Sequence, residues 1–382
     1  MELPDGLLQL FVDIFGPNVA RKVLSAMRTI VDKAAKEITI VQPSWSDYVL
    51  IIPPHRRFPN LRKLTLSCFS DHLHPGITQL VSLVSLTVVF ATELCWVRKK
   101  VDLPSLTALT GLTHLDLTLC NTLRSKFNEW DLYMPLMILD IPTMPMLQSL
   151  KLREFQPGVQ SMMQPNLQEL ALTCSKFRFS DFQIGCTTLR TVYLMKVSLL
   201  QGFTGLTGLT SLTDMWLDSV EMDSLNGLSV LCSLQSLIVH NCFNISDVTM
   251  TINVNGLKTL TSLKHLQITG DRLGRLPRHI LPGIAALIGV EFLNLDHDTG
   301  LYIDDLDPLL EMTKMTALKI RLYPFDVKEG CIMFLQLKNL KRLMINSKDM
   351  SVDYPSRLEP CQSSRPESWA RDMLGGGVKD MI

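Results

Sequence analysis

The chain has 382 residues, too many for one ordinary core and suited either to two or three domains or to one elongated array. Lysine plus arginine and aspartate plus glutamate both total 37, so the basic excess that phosphate-binding proteins carry is missing and no nucleic-acid partner is predicted. Hydrophobic residues make up 46% of the sequence, yet no apolar run approaches the ~20 residues that cross a bilayer, which predicts no membrane association.

The first predicted elements are helical. Leu3, Leu7, Leu8, Phe11 and Phe15 recur at helical spacing, Pro4 suits a first turn, and Gly16–Pro17 stops the segment. This opening has no basic leader and carries Asp13 in its apolar stretch, so no secretory signal is predicted. A second amphipathic stretch follows, with Val23, Ala26, Met27, Ile30 and Val31 on one face. Residues 1–34 therefore read as a helical segment. Residues 35–40 (AKEITI) read as a first strand, with Trp45 and Tyr48 in the connection after it.

From there an LxxLxL frame recurs, starting at Leu61, Leu83, Leu112, Leu147, Leu167, Leu189, Leu212, Leu234, Leu263, Val290, Met315 and Leu340. In an extended segment alternate residues face opposite ways, so positions 4 and 6 point inward while 3, 5 and 7 point to solvent. After each strand leucines step by three, as in Leu225, Leu228, Leu231 and Leu234, which suits a helical or 3₁₀ return. One such unit cannot bury its own apolar face, whereas stacked units can. The longest interval, from Leu112 to Leu147, contains a spare frame at Leu136 (LMILDI), either a further repeat in irregular register or an insertion.

The frame assigns an outward surface. Position 5 of three successive repeats presents Tyr193, Trp216 and Ile238, predicted to form one apolar row, with Met195, His240 and Phe292 beside it and Asp214, Asp218 and Asp296 at its margins. Exposed aromatics ringed by polar groups have the composition of a protein-binding hot spot. Further along, Lys319, Arg321 and Arg342 are expected to form a basic end, and Lys151 with Arg153 a second basic spot, which would suit a partner with an acidic segment. The twelve residues 296–307 (DHDTGLYIDDLD) imitate a calcium loop but place Leu301 where glycine is needed and Asp307 where a bidentate glutamate is needed. No phosphate-cradling loop, hydrolase or kinase signature occurs, so neither enzyme activity nor a cofactor is predicted. Nine cysteines without a CxxC pair read mostly as small buried hydrophobes in a reducing compartment, the cytosol or nucleus. Residues 348–382 lose the pattern, are rich in Ser, Pro, Gly and charge, and read as a disordered tail.

These frames resemble the leucine-rich-repeat superfamily over roughly residues 35–347, with about 12 repeats. The resemblance implies an α/β leucine-rich-repeat solenoid, a right-handed β/α superhelix with a concave parallel sheet that binds a protein target, preceded by short amino-terminal helices. The family often places Asn at frame position 9, whereas this chain has Phe69, Cys120, Val197, Val220 and Cys242 there, so other groups must satisfy the loop backbone. Leu3, Pro4, Asp5, Leu7, Leu8, Phe11 and Phe15 resemble the opening of an F-box, with Gly6 where that family carries Glu. That resemblance implies docking of Leu3, Pro4, Leu7, Leu8 and Phe11 on the adaptor of an SCF-type ubiquitin ligase, with the repeats recruiting its substrate. The alternative is a non-catalytic scaffold, associated with cytoskeleton or axoneme, whose first helices only cap the solenoid.

Overall fold

A computed structural model describes residues 35–41, 58–69, 75–91, 100–120, 137–157, 164–173, 176–177, 187–199, 203, 206–222, 224–242, 255–270, 280–296, 301–323, 327–347 and 351–352. The amino-terminal segment with Leu3, Pro4, Leu7, Leu8 and Phe11, the Trp45 and Tyr48 connection, and the tail past residue 352 lie outside the described residues. The chain divides into two compact units, Met1–Leu212 and Thr213–Ile382.

Each unit is a leucine-rich-repeat solenoid. In the first, β1 (Glu37–Val41), β2 (Lys63–Phe69), β3 (Ser85–Ala91), β5 (His114–Cys120), β7 (Ser149–Arg153), β9 (Glu169–Thr173) and β11 (Thr191–Met195) pair in parallel in that order. A second, three-stranded parallel sheet joins β4 (Lys100–Asp102), β6 (Met137–Asp140) and β8 (Phe155–Pro157), and a short pair joins β10 (Lys176–Phe177) to β12 (Ser198–Leu199). The second unit contributes β13 (Asp214–Asp218), β14 (Ser236–His240), β15 (His265–Thr269), β16 (Phe292–Leu295), β17 (Ala317–Leu322) and β18 (Arg342–Ser347), again parallel neighbours, and β19 (Ser351–Val352) turns back antiparallel on β18.

The frame and the pairing coincide. Frame positions 4 and 6 meet their equivalents across each pair, as Leu86 meets Leu115 and Val88 meets Leu117, and these side chains are buried. The leucines that step by three fall on and around 3₁₀ turns such as Pro104–Ala108 and Asn226–Val230. There Leu225, Leu228, Leu231 and Leu234 are each no more than 1% exposed. Two repeats of the second unit widen the return into α-helices, α1 (Ile280–Ala285) and α2 (Val327–Phe334). Full burial of a leucine is worth roughly 1.5–3 kcal/mol, so repetition of this layer is what offsets the ordering of the chain. The layer thins at the last frame, where Leu340 and Leu343 are half-exposed.

The spare frame has an unambiguous place. β5 pairs directly with β7, while β6 inside LMILDI pairs with β4 and β8 in the separate sheet. The segment is therefore an elaboration of one long repeat rather than a further repeat of the main sheet, and it buries Leu139 and Ile141 completely.

Backbone satisfaction is also regular. At the strand entries within each unit the carbonyl of frame position 2 accepts two N–H groups from the next repeat, as Arg62 O does from Val84 and Ser85. The residue just before the frame makes a side-chain ladder: Ser82 Oγ, Asn166 Nδ2, Thr188 Oγ1 and Asn339 Nδ2 donate to the carbonyls of Pro59, Pro145, Pro165 and Thr313 respectively. These bonds satisfy carbonyls at the strand entries, at the opposite end of the strand from position 9. At position 9 itself Val197, Val220 and Cys242 are buried instead, and the Cys242 thiol lies 3.4 Å from the carbonyls of Leu217 and His240. Burial pushes that thiol up to about 12, so it packs as a neutral small group. Cys232, by contrast, is exposed, so the expectation of buried cysteines does not extend to it.

Candidate binding face

Positions 3, 5 and 7 of every frame stand on the face of the sheet opposite the leucine core. In the second unit the position-5 row runs Trp216, Ile238, Gln267, Asn294, Lys319 and Met344, each opposite the next. Asp214, Trp216, Asp218 and His240 are half-buried on this face. Ile238 and Phe292 are each only 7% exposed, which corrects their reading as free apolar contacts. Neighbouring strands lie about 4.8 Å apart, so large side chains lean on one another and cover themselves. Phe292, for instance, sets its ring 5.9 Å from that of His265. Tyr193 and Met195 belong to the first unit, half-buried on β11 opposite Ala171 and Thr173.

Polar side chains on β14 and β15 hold one another. His240 Nδ1 is 2.9 Å from Thr269 Oγ1, and its Nε2 is 2.9 Å from Asn241 Nδ2. Both ring nitrogens of His240 are thus engaged by neighbouring polar side chains. Burial holds His265 below the usual histidine range, against the opposing pull of Glu291 and Asp214.

The expected basic end is a neutralising network. Lys319 Nζ is 2.9 Å from Asp296 Oδ2, Arg321 Nε donates to Asp296 Oδ1 at 2.8 Å, and Asn346 Nδ2 donates to Oδ2 at 2.9 Å. Lys319 is 8% exposed, so its charge is spent inside the protein instead of being offered to an acidic guest. Burial by itself would raise Asp296, but Lys319, Arg321 and Asn346 outweigh it and hold the carboxyl below its usual range. The described residues 301–307 of the loop that imitates a calcium site pack within the repeat. Leu301 is buried and bridges to Leu322, and two 3₁₀ turns, Ile303–Asp305 and Asp307–Glu311, follow it. Among the described residues no three His, Cys, Asp or Glu side chains gather to hold a metal ion.

The first unit shows the same self-pairing. Lys63 meets Glu37 at 2.7 Å, and Lys151 approaches Glu169 at 3.6 Å while Ser149 Oγ donates to the same carboxylate at 2.8 Å. Lys151 and Arg153 also flank Asp116, whose carboxyl burial raises despite both cations. The second basic spot is thus a mixed-charge cluster. Asp116, Glu169, Thr269, Asn294 and Asn346 were not singled out from the sequence. All stand at positions 3, 5 or 7 of their frames, so the frame could have found them.

No family model and no curated protein matches this sequence. Among solved structures, the chain is similar to an internalin from Listeria monocytogenes (15% identity, 91% of this chain and 97% of that one, TM-score 0.49). It is also similar to a leucine-rich-repeat protein from Leptospira interrogans (19%, 76% and 80%, TM-score 0.44). Toll in complex with Spatzle from Drosophila aligns at 16% identity over 82% of this chain, with a TM-score of 0.52, and the chain spans 41% of that structure's length. The likeness to Toll extends to the fold alone, and with the repeat pairing above it identifies the fold of this chain as a leucine-rich-repeat solenoid.

Proposed function

We propose that the chain is a non-catalytic protein-binding module whose outward sheet face holds a target protein and whose amino-terminal segment delivers that target to the adaptor of an SCF-type ubiquitin ligase. The observation that carries the binding reading is Trp216, half-buried on the outward face of β13 between Asp214 and Asp218. A sheet face of this size with an aromatic anchor suits a macromolecule better than a small substrate. His240 belongs to the same proposed contact surface of the second unit, with Ile238 and Phe292 as its support, and Tyr193 and Met195 are proposed contacts on the outward face of the first unit.

The ligase half of the reading rests on the sequence match at Leu3, Pro4, Leu7, Leu8 and Phe11. It implies a cytosolic or nuclear protein. The test is a pull-down of the full chain with the purified adaptor at micromolar concentration. Binding that is lost when Leu7, Leu8 and Phe11 are changed to alanine, with far-UV circular dichroism retained, supports it. No binding by the unmodified chain transfers the protein to the scaffold class, in which the same helices only cover the first repeat.

A further inference from the structure

The outward face carries six carboxylates at positions 3, 5 and 7 among the described residues: Glu37, Asp116, Glu169, Asp214, Asp218 and Asp296. Four of them have a cation from a neighbouring strand. Glu37 has Lys63, Glu169 has Lys151, Asp116 has Lys151 and Arg153, and Asp296 has Lys319 and Arg321. Asp214 and Asp218 differ. Their hydrogen bonds come from the adjacent hydroxyls, Thr213 Oγ1 at 2.6 Å and Ser219 Oγ at 2.9 Å, and neither forms an ion pair with a described residue. Across the strand pair they face Ser236 and His240. His240 is hydrogen-bonded to Thr269 and Asn241, and burial holds His265 below the usual histidine range. Outside the three outward positions Lys264 and Glu291 stand near His265 and oppose each other in charge.

The two uncompensated carboxylates bracket Trp216 on one strand, two residues to either side. Four residues of strand span roughly 13 Å, the distance between the first and fifth side chains of an extended peptide. From this geometry we infer that Asp214, Trp216 and Asp218 form a docking site for an extended, cationic segment of a partner protein. Two basic side chains four residues apart meet the carboxylates, and an apolar residue midway packs on the indole. A cation above a tryptophan face gains further from the ring quadrupole. The inference rests on the reading of this face as protein-binding and reverses the sign of the partner expected from the sequence. The cations at β17 are consumed by Asp296, whereas the acids at β13 are left for a guest.

The test uses the full chain and a short fluorescein-labelled peptide with two arginines four residues apart and leucine midway, alongside versions with glutamate or glutamine in place of arginine. Fluorescence polarisation is expected to show the arginine peptide binding about tenfold or more tightly than the glutamine one, with the margin shrinking in high salt. In Asp214→Asn/Asp218→Asn that margin should vanish, and in Asp214→Lys/Asp218→Lys the preference should pass to the glutamate peptide, which a merely misfolded variant could not produce. Equal binding of the three peptides, or a margin unchanged in the asparagine variant, overturns the cationic assignment and leaves the protein-binding reading in place. Absence of binding by any peptide also overturns it, while adaptor capture, measured separately, continues to test the wider function.

Discussion

Gln164 accepts a hydrogen bond from the backbone N–H of Met144 at 2.8 Å, from the place in its repeat where others carry Leu80, Leu109, Leu209, Leu231 or Leu260. Its side-chain amide also donates to Pro142 O at 3.1 Å, and the residue is fully buried. In the segment that follows β6, this glutamine satisfies one backbone N–H and one backbone C=O. Gln164→Leu restores the leucine pattern yet strands a buried N–H and C=O. It is expected to lower stability by about 1–3 kcal/mol, read as a shift in urea midpoint, with Gln164→Ala worse still. A leucine variant as stable as the parent would show that those groups find other partners.

Asp296 ties three strands together. Asp296→Asn leaves Lys319 and Arg321 half or fully covered without a counter-charge, so a loss of about 3 kcal/mol is expected, whereas Arg342→Gln at an exposed position should change little. The pH dependence has a definite sign. The folded carboxyl is held below its unfolded value near 3.9, so its contribution is full above that pH and is lost as pH falls through the folded value. Acid unfolding followed by circular dichroism should therefore be less steep below about pH 4 in Asp296→Asn than in the parent.

Asp116 has the opposite sign. Burial raises it, so the folded state binds its proton more tightly than the unfolded state, and stability falls as pH rises from the unfolded value through the folded one. Asp116→Asn should stabilise the first unit at neutral pH, and the gain should disappear below about pH 4, where both states of the parent are protonated. A midpoint difference that is constant from acid to neutral would contradict this.

Gly256 sits where two returns touch. Its N–H donates to Asn226 Oδ1 at 2.9 Å, and a Cβ added there would fall 2.6 Å from the Asn226 carbonyl oxygen, on backbone that cannot yield cheaply. Gly256→Ala is expected to cost about 2 kcal/mol or more. Gly208, also in a 3₁₀ return, has nothing within 4 Å of such a Cβ, and Gly208→Ala should be neutral or mildly stabilising. Thermal midpoints of the pair separate close approach from a general intolerance of side chains in the returns.

Five strand exits share a residue with positive φ. Glu154, Lys196, Ser219, Asn241 and Gly270 all occupy frame position 8, with φ of 67°, 52°, 53°, 50° and 130°. This turn lets Glu154, Ser219 and Asn241 donate their N–H groups to the carbonyls of Thr173, His240 and Thr269 in the next repeat. Exposed Lys196 carries the steric cost of that conformation, so Lys196→Gly should gain up to about 1 kcal/mol and Lys196→Val should lose at least as much, measured by urea denaturation.

What the amino-acid order determined by itself was the repeat. Leucine spacing decides which side chains are excluded from water, and that alone sets the parallel strands, the 3₁₀ returns and which residues face outward. Trp216, Asp214 and Asp218 were legible for this reason. What only the tertiary structure decided depends on neighbours one repeat away, 20 to 35 residues distant in sequence. Charge pairing across strands turned Lys319 and Arg321 from a basic surface into the partners of Asp296. Packing between strands about 4.8 Å apart covered Ile238 and Phe292. The return path of one long repeat placed β6 in a side sheet. In each case periodicity names the face of a residue, while burial and electrostatics are set by the residue that stands beside it.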